Sequence, residues 1–220
     1  MFLEEGTAKA ILAGAGVRVP DGARATTADE AAAAARAVGR PVAVKAQVPA
    51  GRRGKGRGIR FAATPEEARA AAEALLGSEV SGVRVEALRV EARVGIAHEL
   101  YAAVVTDAAR RSPVLLFSTE GGVDIEETFA VRPDAVIQRP LDIRRPLEVA
   151  DAEAAIGGAG LGPAAAGVAR LLSTLYAVYR STDADLVEVN PLALEPGGGV
   201  VALDAKIVID DAAVGRHPEL

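Results

Sequence analysis

The 220-residue chain contains no cysteine and no tryptophan. Without cysteine there are no disulfides, no thiolate metal centres and no cysteine nucleophile. Aromatic residues make up 3% of the chain, so the core has to be assembled from Ala, Val, Leu and Ile. There are two histidines, His98 and His217. Neither stands in a recognisable arrangement with a serine, which leaves a Ser-His-Asp hydrolase unsupported, and both read as surface residues. No apolar run approaches membrane-spanning length, and no basic-then-apolar signal segment opens the chain. The expectation is a soluble cytoplasmic protein with no membrane partner. The formal net charge of −5 argues against non-specific nucleic-acid binding. Half of the residues are hydrophobic and a quarter charged, a composition that buries a sizeable core.

Helix and strand signals interleave along the chain. Residues 4–15 carry Ala8, Ile11, Leu12 and Ala15 on one helical face. Thr27 with Glu30 three residues later is a capping box that opens a helix over 28–38. Residues 41–46 and 59–62 read as strands, separated by the basic glycine loop 51–58. Thr64-Pro65 starts a helix that stops at Gly77. Strands are expected over 83–92, 99–106, 114–117 and 136–138, helices over 147–155 and 164–179, and a loop over 118–122. Such interleaving argues an α/β or α+β fold. The organisation reads as a small lobe over about 23–77 and a larger lobe over about 78–220 that also takes the N-terminal helix.

Four constellations carry possible chemistry. Near the end, two apolar runs flank Glu195-Pro196-Gly197-Gly198-Gly199, a β-hairpin pattern. Alternation puts Glu188 and Asn190 on one face, and Asp204 on the returning strand can join them. Hard oxygen donors grouped this way suit Mg²⁺, which takes one or two carboxylates plus substrate phosphates. The same residues also fit a hairpin with one polar, solvated face. The loop containing Arg52, Arg53, Gly54 and Lys55 offers a backbone nest and positive charge to phosphate, with Lys45 on the strand that feeds it. It lacks the Gly-Lys-Ser/Thr ending of a Walker A loop, and a solvated hairpin is the alternative. Glu91 and Glu99 lie near strand ends, where each suits an adenine amino group or a ribose hydroxyl; a pair of surface carboxylates is the alternative. Ser118–Glu126 is a carboxylate-rich Gly-Gly loop at a strand end, a common place for function.

Together these pieces resemble the ATP-grasp part of the succinyl-CoA synthetase (ADP-forming succinate–CoA ligase) β-subunit family, a pattern shared with malate–CoA ligase. They occur in family order: Leu3…Ala8-Lys9, Val44-Lys45-Ala46-Gln47-Val48, residues 51–55, Val90-Glu91, Glu99-Leu100-Tyr101, residues 118–126, Glu188-Val189-Asn190-Pro191-Leu192 and Leu203-Asp204-Ala205-Lys206. The resemblance implies an α+β ATP-grasp fold, two lobes with nucleotide between them. It implies that Lys45 and the backbone of Arg52, Arg53 and Gly54 hold the phosphates of ATP or ADP. Glu91, the backbone near Val94 and Glu99 would contact adenosine and ribose. Asn190 and Asp204 would bind Mg²⁺, and Glu188 would steady a phosphohistidine carried by an α-type CoA-ligase subunit. Pro20 matches the position where ATP-preferring members carry proline.

Four departures stand against the pattern. Leu3-Glu4-Glu5-Gly6 replaces a His-Glu-Tyr-like opening, Arg52 replaces the second glycine of the loop, and Pro49 stands where the family has a histidine. The sequence ends at Leu220, where the family continues into a flavodoxin-like CoA-ligase domain. The expectation is therefore an incomplete enzyme that needs a partner. A stand-alone ATP-grasp β subunit of an ADP-forming acetyl-CoA synthetase, and a non-catalytic nucleotide-binding module, are the other readings.

Overall fold

The computed structural model describes residues 1–48, 58–218 and 220. The chain divides into two compact units, Pro20–Val94, and Met1–Val19 together with Gly95–Leu220. The first helix, α1 (Glu5–Gly14), belongs to the larger unit.

The smaller unit runs β1 (Gly22–Ala25), α2 (Ala28–Val38), β2 (Val42–Ala46), β3 (Ile59–Ala62), α3 (Pro65–Leu75), β4 (Glu79–Val80), β5 (Val83–Arg84) and β6 (Leu88–Ala92). Its antiparallel sheet has the order β1-β6-β2-β3. Alanines of α2 and α3 (Ala31, Ala35, Ala68, Ala72) pack with Val42, Val44, Leu88 and Val90 in one core. Both helices start alike. Thr27 and Thr64 accept from the backbone N–H of Glu30 and Glu67, each at 3.2 Å. The glutamates reach back to the N–H of Thr26 and Ala63, at 2.7 and 2.6 Å, so orphan donors at each helix start are satisfied reciprocally.

Two sequence expectations change in this unit. The single strand expected over 83–92 is two strands. Ser81 and Gly82, with φ of 53° and 79°, turn the chain so that β5 pairs back onto β4, and only Leu88–Ala92 enters the main sheet. Because β6 inserts between β1 and β2, the unit extends over Pro20–Val94 and does not stop at Gly77.

The larger unit continues with β7 (His98–Asp107), β8 (Ser112–Ser118), α4 (Ile125–Val131), β9 (Ile137–Pro140), α5 (Val149–Ile156), α6 (Ala165–Ser181), β10 (Ala184–Leu194), β11 (Val200–Ala202) and β12 (Ala205–Ile209). The sheet order is β11-β10-β7-β8-β9, with β12 also pairing β10. In α6, Val168, Leu171, Leu172, Leu175 and Tyr179 recur at helical spacing and are all buried. They meet α1 through Ala8 and Leu12, α5 through Ala152 and Ile156, and the sheet through Leu100, Ala102, Val104, Phe117, Val187 and Val189. Alternation sends Tyr101, Ala103, Val105, Leu116, Glu188 and Lys206 to the opposite face of the sheet. The expected loop over 118–122 leads into α4, which has no buried side chain and is started by the Asp124 carboxylate accepting from the N–H of Glu126 and Glu127. Among the described residues, no helix is long and apolar enough to cross a membrane.

Candidate functional site

The closing hairpin forms as its sequence suggests, but in two steps. Leu192–Leu194 pair with β11 and Ala184–Val189 with β12. Between them the ladder breaks at Asn190-Pro191 on one strand and Leu203-Asp204 on the other. The break is spanned by Leu203 N–H donating to the Pro191 carbonyl at 3.2 Å. A regular ladder would commit the backbone groups here to strand pairing; the break leaves Asn190 and Asp204 outside it.

Glu188 lies directly across from Lys206 on β12 and from Ala103 on β7. The Tyr101 hydroxyl, two residues along β7 on the same face, donates to Glu188 Oε2 at 3.1 Å. A row of Tyr101, Glu188 and Lys206 therefore crosses three strands. Burial raises the Glu188 pKa above the usual carboxylate value; Lys206 and the Tyr101 hydrogen bond oppose that, and Glu126 and Asp124 of the α4 start add to it. Burial and the neighbouring Glu188 charge push the Tyr101 hydroxyl up as well, so it stays a donor. Between α4 and this face lies a cavity of about 260 Å³ lined by Val105, Val114, Leu116, Ile125 and Phe129.

Asn190 reaches the Gly-Gly loop. Its Oδ1 accepts from Gly122 N–H at 2.7 Å, and its Nδ2 donates to the Val123 carbonyl at 3.0 Å. The loop is pressed so closely on β7 that a Cβ at Gly121 would overlap the Leu100 backbone. One at Gly122, where φ is +69°, would overlap the Glu99 carboxylate. Asp204 Oδ1 accepts from Ala205 N–H at 2.8 Å. Among the described residues no group of three or more His, Asp or Glu side chains is suited to a metal. The donor chemistry still fits Mg²⁺: Asp204 supplies a hard carboxylate, and an amide oxygen carries two lone pairs, of which the Gly122 bond uses one.

In the smaller unit, Glu91 is buried between two cations. Lys45 Nζ lies 2.5 Å from its Oε1 and Arg89 Nε 2.8 Å from its Oε2. The sequence pointed to Lys45 and Glu91 separately; their pairing follows from the β2–β6 register, in which Lys45 stands opposite Arg89 and Ala43 opposite Glu91. Arg52, Arg53 and Gly54 lie outside the described residues. Val94 ends the smaller unit, whereas Glu99, Glu188, Asn190 and Asp204 belong to the larger. Glu99 stands at the start of β7 beside Gly122.

Of the two histidines, His98 is exposed at the start of β7. His217 is not the surface residue expected: its ring is 11% exposed and lies 2.9 Å from Asp183, which also accepts from Arg216 Nε at 3.0 Å. The partners that sequence reasoning missed are Tyr101, Arg89 and Lys206. Each sits at strand spacing or cross-strand from a singled-out glutamate, which is the signal that could have found them.

A family model described as an ATP-grasp domain matches residues 2–194. The GDP-forming succinate–CoA ligase subunit beta of Thermus thermophilus is 44% identical over 220 residues, 100% of this chain and 58% of that protein. The ADP-forming subunit beta of Natronomonas pharaonis is 42% identical, again over 100% of this chain and 58% of its own length. The chain thus spans about 58% of the length of these curated relatives. Among solved structures, the dinucleotide-forming acetyl-coenzyme A synthetase 1 of Ca. Korarchaeum cryptofilum, in complex with coenzyme A, Ca-AMPCP and HgCl⁺, superposes with a TM-score of 0.73 at 23% identity. That match covers 95% of this chain and 93% of the other, and shows the shared fold. ATP citrate lyase from Methanothrix soehngenii, in complex with citrate and coenzyme A, gives a TM-score of 0.65 at 26% identity over 83% of this chain and 42% of that one. With the family model extending over most of its residues, the chain belongs to the ATP-grasp family.

Proposed function

We propose that this chain is the nucleotide-binding part of an acid–CoA ligase, passing a phosphoryl group between ATP or ADP and a phosphohistidine on an α-type CoA-ligase subunit, to make or break succinyl-CoA or a similar acyl-CoA. The observation that carries this reading is the Glu188 carboxyl, held by Tyr101 on the sheet face opposite the core and two residues from Asn190. Tyr101 occupies Oε2, and Oε1 is the atom assigned to accept the N–H of an incoming imidazole. That hydrogen bond would hold the ring by one nitrogen and leave the other to carry the phosphoryl group. Burial strengthens the bond, because little water competes for the carboxylate.

Asn190 and Asp204 are the proposed Mg²⁺ ligands. The bound ion supplies charge neutralisation on the transferring phosphoryl group. Lys45 and the backbone of Arg52, Arg53 and Gly54 are assigned to the phosphates, and Glu91, the backbone near Val94 and Glu99 to adenosine and ribose. Lys45 enters this role already paired to Glu91, so phosphate competes with a buried carboxylate for it. Little covalent work falls to these residues; they position and stabilise charge.

Calorimetry of the chain with ATP, with and without Mg²⁺, tests the reading. Binding that strengthens with Mg²⁺ and weakens in Asp204→Ala is expected. Nucleotide binding that is absent, or indifferent to Mg²⁺ and to Asp204→Ala, refutes it.

A further inference from the structure

We infer that the buried Glu5–Lys9 pair of α1 is a positioning element for Asn190 and Asp204, a role that rests on the metal reading above. Both side chains are 0% exposed, and Lys9 Nζ lies 2.7 Å from Glu5 Oε1 one helical turn away. The other inward residues of α1 are Ala8 and Leu12, so this charged pair interrupts an otherwise apolar stripe. Taking two charges out of water is costly, and apolar residues of similar volume commonly fill such a space at no loss of stability. The pair does something an apolar filling cannot. Lys9 Nζ also donates to the carbonyl of Leu203 at 2.7 Å, across 194 residues of sequence.

Leu203 stands at the break between β11 and β12. Its carbonyl is held by Lys9, and its N–H is held by the Pro191 carbonyl at 3.2 Å. Asp204 follows Leu203 directly, and Asn190 directly precedes Pro191. One residue, gripped on two sides, therefore joins the two proposed metal ligands to each other and to α1. At this point the regular ladder is interrupted, so the strands alone do not fix the spacing of the two side chains. Glu5 in turn pairs with the Lys9 ammonium, holding it one helical turn away. Lys9 is thus a positioning residue. It holds the carbonyl of the residue before Asp204, and the role assigned to it requires no contact with nucleotide or metal.

The test uses the double variant Glu5→Leu with Lys9→Met, which removes both charges and orphans neither. Dissociation constants for ATP are measured by calorimetry in Mg²⁺ and in EDTA, beside a circular-dichroism melt. The Mg²⁺-dependent gain in ATP affinity should fall by about tenfold or more, as for other groups that orient metal ligands, while affinity in EDTA stays close to that of the wild type. Asp204→Ala sets the floor for that gain. If the double variant is unfolded at the assay temperature, Glu5→Gln with Lys9→Met, which also lacks a donor for the Leu203 carbonyl, replaces it under the same criterion. A folded variant with the wild-type gain overturns the positioning role alone. A wild-type chain that binds ATP equally in Mg²⁺ and EDTA overturns the metal reading, and the positioning role with it.

Discussion

Replacing Glu91 with glutamine should destabilise the chain substantially in the absence of nucleotide. The glutamate side chain is 2% exposed, and its two partners, Lys45 and Arg89, are 10% and 14% exposed. Glutamine keeps the volume, so no cavity forms. Its one carbonyl oxygen can accept from one cation, but its amide group is a donor and faces the other with like polarity. Removing one partner of a buried pair costs about 3–5 kcal/mol, and the retained hydrogen bond places this case near the lower end, about 3 kcal/mol. For a chain of this size about 2–4 °C of melting temperature accompanies each kcal/mol, so the loss should be about 6–12 °C. Circular-dichroism melts without nucleotide read it directly. Lys45→Met should cost less, because Glu91 keeps Arg89. Added salt should leave the gap between wild type and Glu91→Gln largely in place, since buried charges are weakly screened. A Glu91→Gln melt coincident with the wild type would refute the reasoning that the buried Glu91 charge is needed to balance Lys45 and Arg89.

The remaining predictions address the loop and the C-terminal contact. Gly121→Ala should cost about 1–3 kcal/mol and reduce Mg²⁺-dependent ATP affinity, because the new Cβ meets unyielding Leu100 backbone and displaces the loop that Asn190 holds; an unchanged melt and affinity would count against it. Asp183→Asn should lower stability at neutral pH. Hydrogen bonds from Arg216 and His217 depress the Asp183 pKa below its ordinary 3.8, so its contribution is present above that value and is lost as pH falls through the lowered one. The melting gap between Asp183→Asn and wild type should therefore close on acidification. Asparagine tolerates the φ of 50° at this position, which isolates the charge from backbone strain.

Much of the fold was legible because local and tertiary signals agreed. The Thr27 capping box and the Thr64-Pro65 start open helices where the sequence placed them, and the helix expected over 164–179 is α6. β1 and α4 escaped because neither carries an apolar period. β1 is held by pairing to β6, and α4 by the Asp124 cap. The hairpin carrying Glu188, Asn190 and Asp204 was read from alternation, yet alternation assumes an unbroken ladder. The break at Asn190-Pro191 turns Asn190 to the Gly122 loop while Glu188 stays between Tyr101 and Lys206. Lys9 entered only as part of the family pattern with no role attached, because its partner carbonyl on Leu203 is 194 residues away and a backbone acceptor leaves no trace in sequence.

The most direct measurement of the central proposal is phosphoryl transfer to a partner. The chain is mixed with an α-type CoA-ligase subunit, Mg²⁺ and ATP labelled with ³²P at the γ-phosphate, and acid-labile label on the partner's histidine is followed with time. Label should appear with the wild type, and its rate should fall by about 100-fold or more with Glu188→Gln, the scale on which removing one charge-stabilising group slows an enzyme. No label with the wild type, or an undiminished rate with Glu188→Gln, would contradict the role assigned to Glu188.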